Sequence, residues 1–346
     1  MLLARAVVAC HCAVLEFLPE GLFAMRKLSL SLLVAALVVM LPTLALAWGD
    51  NGHTAINHAA AVNIPSSMPG FLKAADSHIT FLGPEPDRWR SNLERALNDA
   101  QAPDHFIDLE YVDWMKTLPA DRYRFIAAVY EYRNKHPEAN VPQPERIGFQ
   151  PYITIEVFDR LKVALREYRH AKAEGRSTAD AEADAIFYAG WLGHYVGDGS
   201  NPMHTSVQYN GWTGPNPKGY STAHDVHSKM ETHFVNANPE VTKIEGLLVA
   251  PRHLEHPFED YLAYLRASQG EIEHAYQLER ACGFEGHGTP ESRDFIRHRL
   301  AAGAQMLLDM WYTAWVDSAQ DPEPWRGEKR EPRQCVAPKS VTGGQR

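Results

Sequence analysis

Cysteine is scarce: the chain has four in 346 residues, and two of them, Cys10 and Cys12, fall near its start. So few exclude a disulfide-dense scaffold and leave one candidate pairing in the rest, Cys282 with Cys335, whose reach spacing alone does not show. Positive charge is also short. Lys and Arg number 34 against 43 Asp and Glu, a formal net charge of −9. Removing residues 1–47 takes away Arg5, Arg26 and Lys27 against Glu16 and Glu20, which leaves −10. That sign excludes the electrostatic footprint of tight duplex-DNA binding, though not a small anion held locally. Runs of alternating apolar and polar residues are missing, which argues against sheets. Beyond the N-terminal region there is no second long apolar run, no repeat and no low-complexity tract.

The one long apolar run is "LSLSLLVAALVVMLPTLALA", preceded by Met25-Arg26-Lys27 and ending on Ala45-Leu46-Ala47. A positive start, an apolar core and a small-x-small exit make a signal peptide. The expectation is therefore a leader over 1–47 (core 25–47), with 1–24 an upstream extension and Met25 a candidate start. Cleavage between Ala47 and Trp48 would give a secreted or periplasmic protein with no stable membrane anchor. The competing reading is a retained anchor, since the run is nearly long enough to span.

Most of the remainder reads helical. Apolar periodicity and cap residues place helices over 157–175, 180–198, 221–235, 256–278 and 290–319. Stretches 63–87, 134–151 and 207–221 are rich in Pro, Gly and Asn and read as loops. The expected fold is all-α, a single multi-helix domain over 48–318 with long loops. The tail 319–346 is polar and Pro-rich, extended or disordered.

Seventeen histidines are present, all but His11 beyond the leader. In "HYVGDGSNPMH", His194 and Asp198 are four apart and share one helix face, and His204 returns after the helix ends. In "HDVHSKME", His227 and Glu231 repeat the spacing. His224 is close enough to compete, whereas His233 points to another face. Neutral imidazole and carboxylate suit a zinc site rich in nitrogen and oxygen. An iron or manganese carboxylate bundle would draw on the same residue types with more Glu. Upstream, Asp87 in "PDRWR" and His105 in "APDHFIDLE" each follow a Pro-containing loop, and alone each is a weak signal.

"HYVGDGSNPMH" and "HSKME" resemble the zinc-binding signatures of bacterial zinc-dependent phospholipases C. "WGDNGH" and "HFID" resemble those of fungal and plant single-strand-specific nucleases of the S-one/P-one type. The two groups form one superfamily of all-α enzymes with three clustered zinc ions, and the resemblance runs from Trp48 to Glu231. It implies a buried trizinc cluster with three Zn2+ as cofactors. Asp87, His105, His194 and Asp198 would hold the first, and His204, His227 and Glu231 the second. The third would take His53, Asp198 as a bridge, and Trp48 through its free α-amine and carbonyl. Three such ions against three carboxylates leave a positive site that attracts a phosphodiester even on an acidic protein. A water bridging two zincs would then attack phosphorus in line. The implied catalytic residues are Asp198 and Asp50, the latter also readable as a plain turn residue.

Further residues carry weaker expectations. Phe106 could stack on a base or simply pack in the core. Arg90 could contact phosphate, with Asp108 nearby, or the two could form a structural ion pair. Trp212 and Tyr220, in "NGWTGPNPKGY", are candidate walls of the substrate pocket. The motifs pull two ways, because "WGDNGH" and "HFID" lean to nucleases whereas Glu231 as last ligand leans to phospholipases. The expected function is a monomeric hydrolase of phosphodiester bonds, with single-stranded nucleic acid or nucleotides ahead of phospholipid head groups as substrate. An inactive zinc-binding protein is the third reading.

Overall fold

The computed structural model describes residues 48–321. The expected leader, Cys335 and all of the expected tail beyond residue 321 lie outside the described residues. Helices of seven or more residues are, in chain order, α1 (Gly49–Val62), α2 (Asp76–Leu82), α3 (Arg95–Gln101), α4 (Arg122–Lys135), α5 (Gln150–Ala173), α6 (Ala179–Ser200), α7 (Pro257–Gln269), α8 (Ile272–Arg280) and α9 (Pro290–Asp317). Among the described residues there is no strand, only an isolated bridge between Tyr209 and Gly211. None of these helices is long and apolar enough to cross a membrane.

Helix α6 is the hub. It packs against α5, α9, α1 and α2, and its second half from Leu192 to Ser200 is wholly buried. A short turn through Gly175 (φ 68°) folds α5 back onto α6. The long α9 closes the other side with Leu307, Leu308 and Trp311, all fully buried. Each such side chain contributes roughly 1.5–3 kcal/mol by leaving water. The start of α9 is fixed by a capping box between Thr289 and Ser292, with Pro290 in the first turn.

Small residues decide what approaches α6. A side chain at Gly193 would overlap the amide of Asn57, and one at Gly197 would meet His53 Nδ1 at 3.0 Å. Their absence lets α1 lie against the hub with His53 and Asn57 facing inward.

The helices expected over 157–175, 180–198 and 290–319 form with shifted ends, at 150–173, 179–200 and 290–317. The run 256–278 breaks at Gly270 into α7 and α8. The helix expected from 221 starts only at Val226, then widens into a π-turn over Lys229–His233 before Phe234–Ala237 resumes as α. Stretch 63–87, read as a loop, carries three short helices. Helices α1, α3 and α4 were not anticipated. The first turn of α1 holds Gly49, Asp50, Asn51 and Gly52, all poor helix formers. Burial of Ile56, Ala59 and Ala60 overrides that preference.

Candidate metal centre

Three sets of buried ligand atoms gather where α1, α6, the loop carrying His105 and the 226–237 segment meet. They are His53 with His194 and Asp198; Asp87 with His105 and His194; and His204 with His227 and Glu231. Within each set the ligand atoms lie within 4.8 Å of one another.

In the first of the expected sites, His194 Nε2 lies 3.0 Å from His105 Nδ1 and 3.4 Å from Asp198 Oδ2. His105 Nδ1 lies 3.1 Å from Asp198 Oδ2 and 3.8 Å from Asp87 Oδ1. His53 approaches the other oxygen of Asp198, at 3.3 Å, and its ring stacks on that of His194. In the second site, His227 Nε2 stands 2.8 Å from Glu231 Oε2 and 3.1 Å from His204 Nε2. Two ligands bonded to one tetrahedral zinc at about 2.0–2.1 Å sit about 3.3 Å apart. Spacings of this size could accommodate a cation in each set.

The rings are turned for the task. His194 Nδ1 donates to the Gly83 carbonyl, His204 Nδ1 to the His105 carbonyl, and His105 Nε2 to the amide oxygen of Gln101. At His105 and His194 the outer nitrogen carries the proton, so the inner nitrogen presents a lone pair. Burial holds His105 and His194 well below the usual histidine range, which keeps both neutral. The carboxylates are short of partners. Both oxygens of Asp87, Oδ1 of Asp198 and Oε1 of Glu231 are buried without a hydrogen bond. Burial pushes Asp87 and Asp198 up to about 8. Glu231 is equally buried, but attraction to His227 and hydrogen bonds with His204 and His227 outweigh that and hold it at about 2. Buried carboxylate oxygens left without donors beside imidazole nitrogens suit metal cations.

Trp48 is fully buried, in a left-handed conformation (φ 36°). Its indole donates to the Gly197 carbonyl and the Ser200 hydroxyl. Its backbone nitrogen lies 3.1 Å from Glu231 Oε2, beside the second site, while its carbonyl accepts the Gly52 N–H. The π-turn that carries Glu231 packs Thr232 against Gly49.

The remaining candidates separate. Arg90 reaches the centre, with its Nη1 3.6 Å from Asp87 Oδ1. Phe106 is half-buried, in the extended residue that follows His105. Asp108 is buried, and that burial, with Glu110 nearby, pushes it up to about 8. Asp50 is exposed in the first turn of α1. Trp212 and Tyr220 pack with Tyr276 into an aromatic cluster, and the Tyr220 hydroxyl donates to Glu273. That packing holds the 207–221 loop in place. His224 and His233 are exposed. Cys282 is exposed, with no disulfide partner among the described residues.

Two supporting residues had escaped the sequence reading. Asn201 donates to Glu231 Oε2 and accepts from the Met203 N–H, and Gln101 holds His105. Gln101 stands four residues before His105, a helical spacing that Pro103 disguises. No family model matches the chain and no curated protein matches it, so the metal centre rests on its own geometry.

Proposed function

We propose that this protein is a secreted or periplasmic trizinc phosphodiesterase acting on single-stranded nucleic acid or nucleotides. One observation carries the reading: three buried sets of His, Asp and Glu share one centre, two of them through His194. Asp87, His105, His194 and Asp198 would hold the first zinc, His204, His227 and Glu231 the second, and His53 with Asp198 and the Trp48 backbone the third. Zinc ions held there would supply Lewis-acid polarisation of a phosphoryl oxygen and would lower the pKa of a water towards neutrality.

The chain's own groups then handle the substrate. Arg90 offers a guanidinium fork for phosphate oxygens. Asp108 keeps a proton near neutrality, so it does not repel the anion and can donate to one of its oxygens. Phe106, next to His105, offers a face on which a base can stack. The buried indole of Trp48 anchors the chain so that its nitrogen stays at the centre.

A phospholipase C is the second reading. Glu231 as last ligand favours it, as do Leu93 and Leu97, which stand 91% and 45% exposed in and beside α3. The deciding experiment incubates zinc-loaded protein with single-stranded DNA, RNA and phosphatidylcholine in parallel, with an aryl phosphodiester as control. Nucleotide products support the proposal. Phosphocholine without nucleotide products replaces the nuclease by the phospholipase. Turnover of the aryl ester alone implies a narrower phosphodiester. Three bound zincs with no turnover of any substrate would make this a binding protein.

A further inference from the structure

Helix α3 stands out from the body of the protein. From Asn92 to Leu97 every residue is exposed, and within the helix only Gln101 is buried. That one side chain points inward and meets His105, its Oε1 lying 2.6 Å from Nε2. An amide oxygen only accepts, so Nε2 carries the ring proton and Nδ1 faces Asp198 and His194 with its lone pair. His194 and His204 are oriented by backbone carbonyls, which the main chain fixes. His105 is oriented by a side chain, which a substitution can remove. The amide nitrogen of Gln101 is buried without a partner. Here the nitrogen goes unpaired and the oxygen meets the ring, and the choice of end decides the tautomer. Oxygen towards His105 presents a lone pair to the centre. Nitrogen towards it would present an N–H and repel a cation.

We propose that Gln101 is the positioning residue of the first metal group: its amide oxygen holds His105 in the Nε2–H tautomer and so couples cation affinity to the seating of helix α3. The inference rests on the metal-centre part of the function proposed above and not on its substrate.

Two variants separate orientation from packing. Gln101→Glu keeps an acceptor in the same place, and Gln101→Leu fills the space without one. Long-range 1H–15N spectra of metal-free protein, with His105 assigned through His105→Gln, report the tautomer. Zinc competition against a chromophoric chelator reports affinity. The expected result is the Nε2–H tautomer in wild type and Gln101→Glu, lost in Gln101→Leu. Zinc affinity of the first group should fall about 10- to 100-fold in Gln101→Leu, with Gln101→Glu at or above wild type. An Nδ1–H tautomer in the wild type would overturn the proposal. So would Gln101→Leu binding zinc like wild type, or Gln101→Glu failing alongside it. If the wild type binds no zinc, the metal centre falls, and the tautomer measurement still decides whether Gln101 orients His105.

Discussion

Asp198 and Glu231 are both fully buried carboxylates of one centre, yet one stands at about 8 and the other at about 2. Their neighbours explain it. Glu231 is bracketed by His227 at 2.8 Å, His204 at 3.6 Å, the Asn201 amide and the Trp48 N–H. Asp198 and Asp87 face His105 and His194, which burial keeps neutral. The second group can balance its own charge. In the first, attraction to Arg90, His53 and His204 does not outweigh burial, so its carboxylates hold protons or call for a cation. The same ligand types, spaced alike along helices, thus form one self-sufficient site and one that is incomplete alone.

The largest expected effect comes from Asp198→Asn, which touches both groups that share the α6 face. It should remove two of three zincs and lower phosphodiester turnover by about three orders of magnitude. Metal analysis beside an aryl phosphodiester assay checks this, and retention of both ions would end the bridging role. Next is Glu231→Gln, which should cost a single zinc, leave the first group loaded, and slow turnover about 100-fold. Equilibrium dialysis that finds two ions missing would erase the distinction between the groups.

A smaller effect concerns pH. In metal-free protein, Asp87 and Asp198 keep protons when folded that they release when unfolded, between about 4 and about 8. The folded state binds more protons there, so stability falls as pH rises across that window. Glu231 acts oppositely, and its contribution is lost only as pH falls towards 2. Chelated protein should melt about 5 °C or more lower at pH 8 than at pH 5, with Asp87→Asn flattening the slope. A flat profile in the wild type would contradict the first group's need for a cation. The smallest effect is a control outside both groups. Tyr220→Phe loses its hydrogen bond to Glu273, worth about 1 kcal/mol, and should leave zinc content and turnover within about twofold. A large loss of turnover would mark Tyr220 as a pocket wall.

The sequence disclosed the parts of this centre that sit on regular spacing. His194 with Asp198 and His227 with Glu231 are legible because four residues make one turn. Asp87 and His105 lie on helical pieces of four residues, too short for a spacing to repeat, and only the resemblance linked them to the rest. Gln101 and Asn201 stayed hidden because a polar residue that supports a ligand has no pattern of its own. Among the helices, α1 was missed for its glycine-rich first turn. Helix α4 was missed because only Phe125 and Val129 are buried, too few to mark a face. Trp212 and Tyr220 pack with Tyr276, a contact open to a pocket wall and to a structural cluster alike, and composition cannot separate the two.

The chain distances within the centre have a kinetic meaning. His204 and His227 are 23 residues apart, whereas His105 and Asp198 are separated by 93. Short loops close sooner than long ones. During refolding the second group should therefore capture its ion early, and the first should load only when α1 has docked on α6. Stopped-flow mixing with a zinc-sensitive dye would resolve two uptake phases, and a single phase would contradict this order. Loading of the first group then serves as a clock for the final docking step.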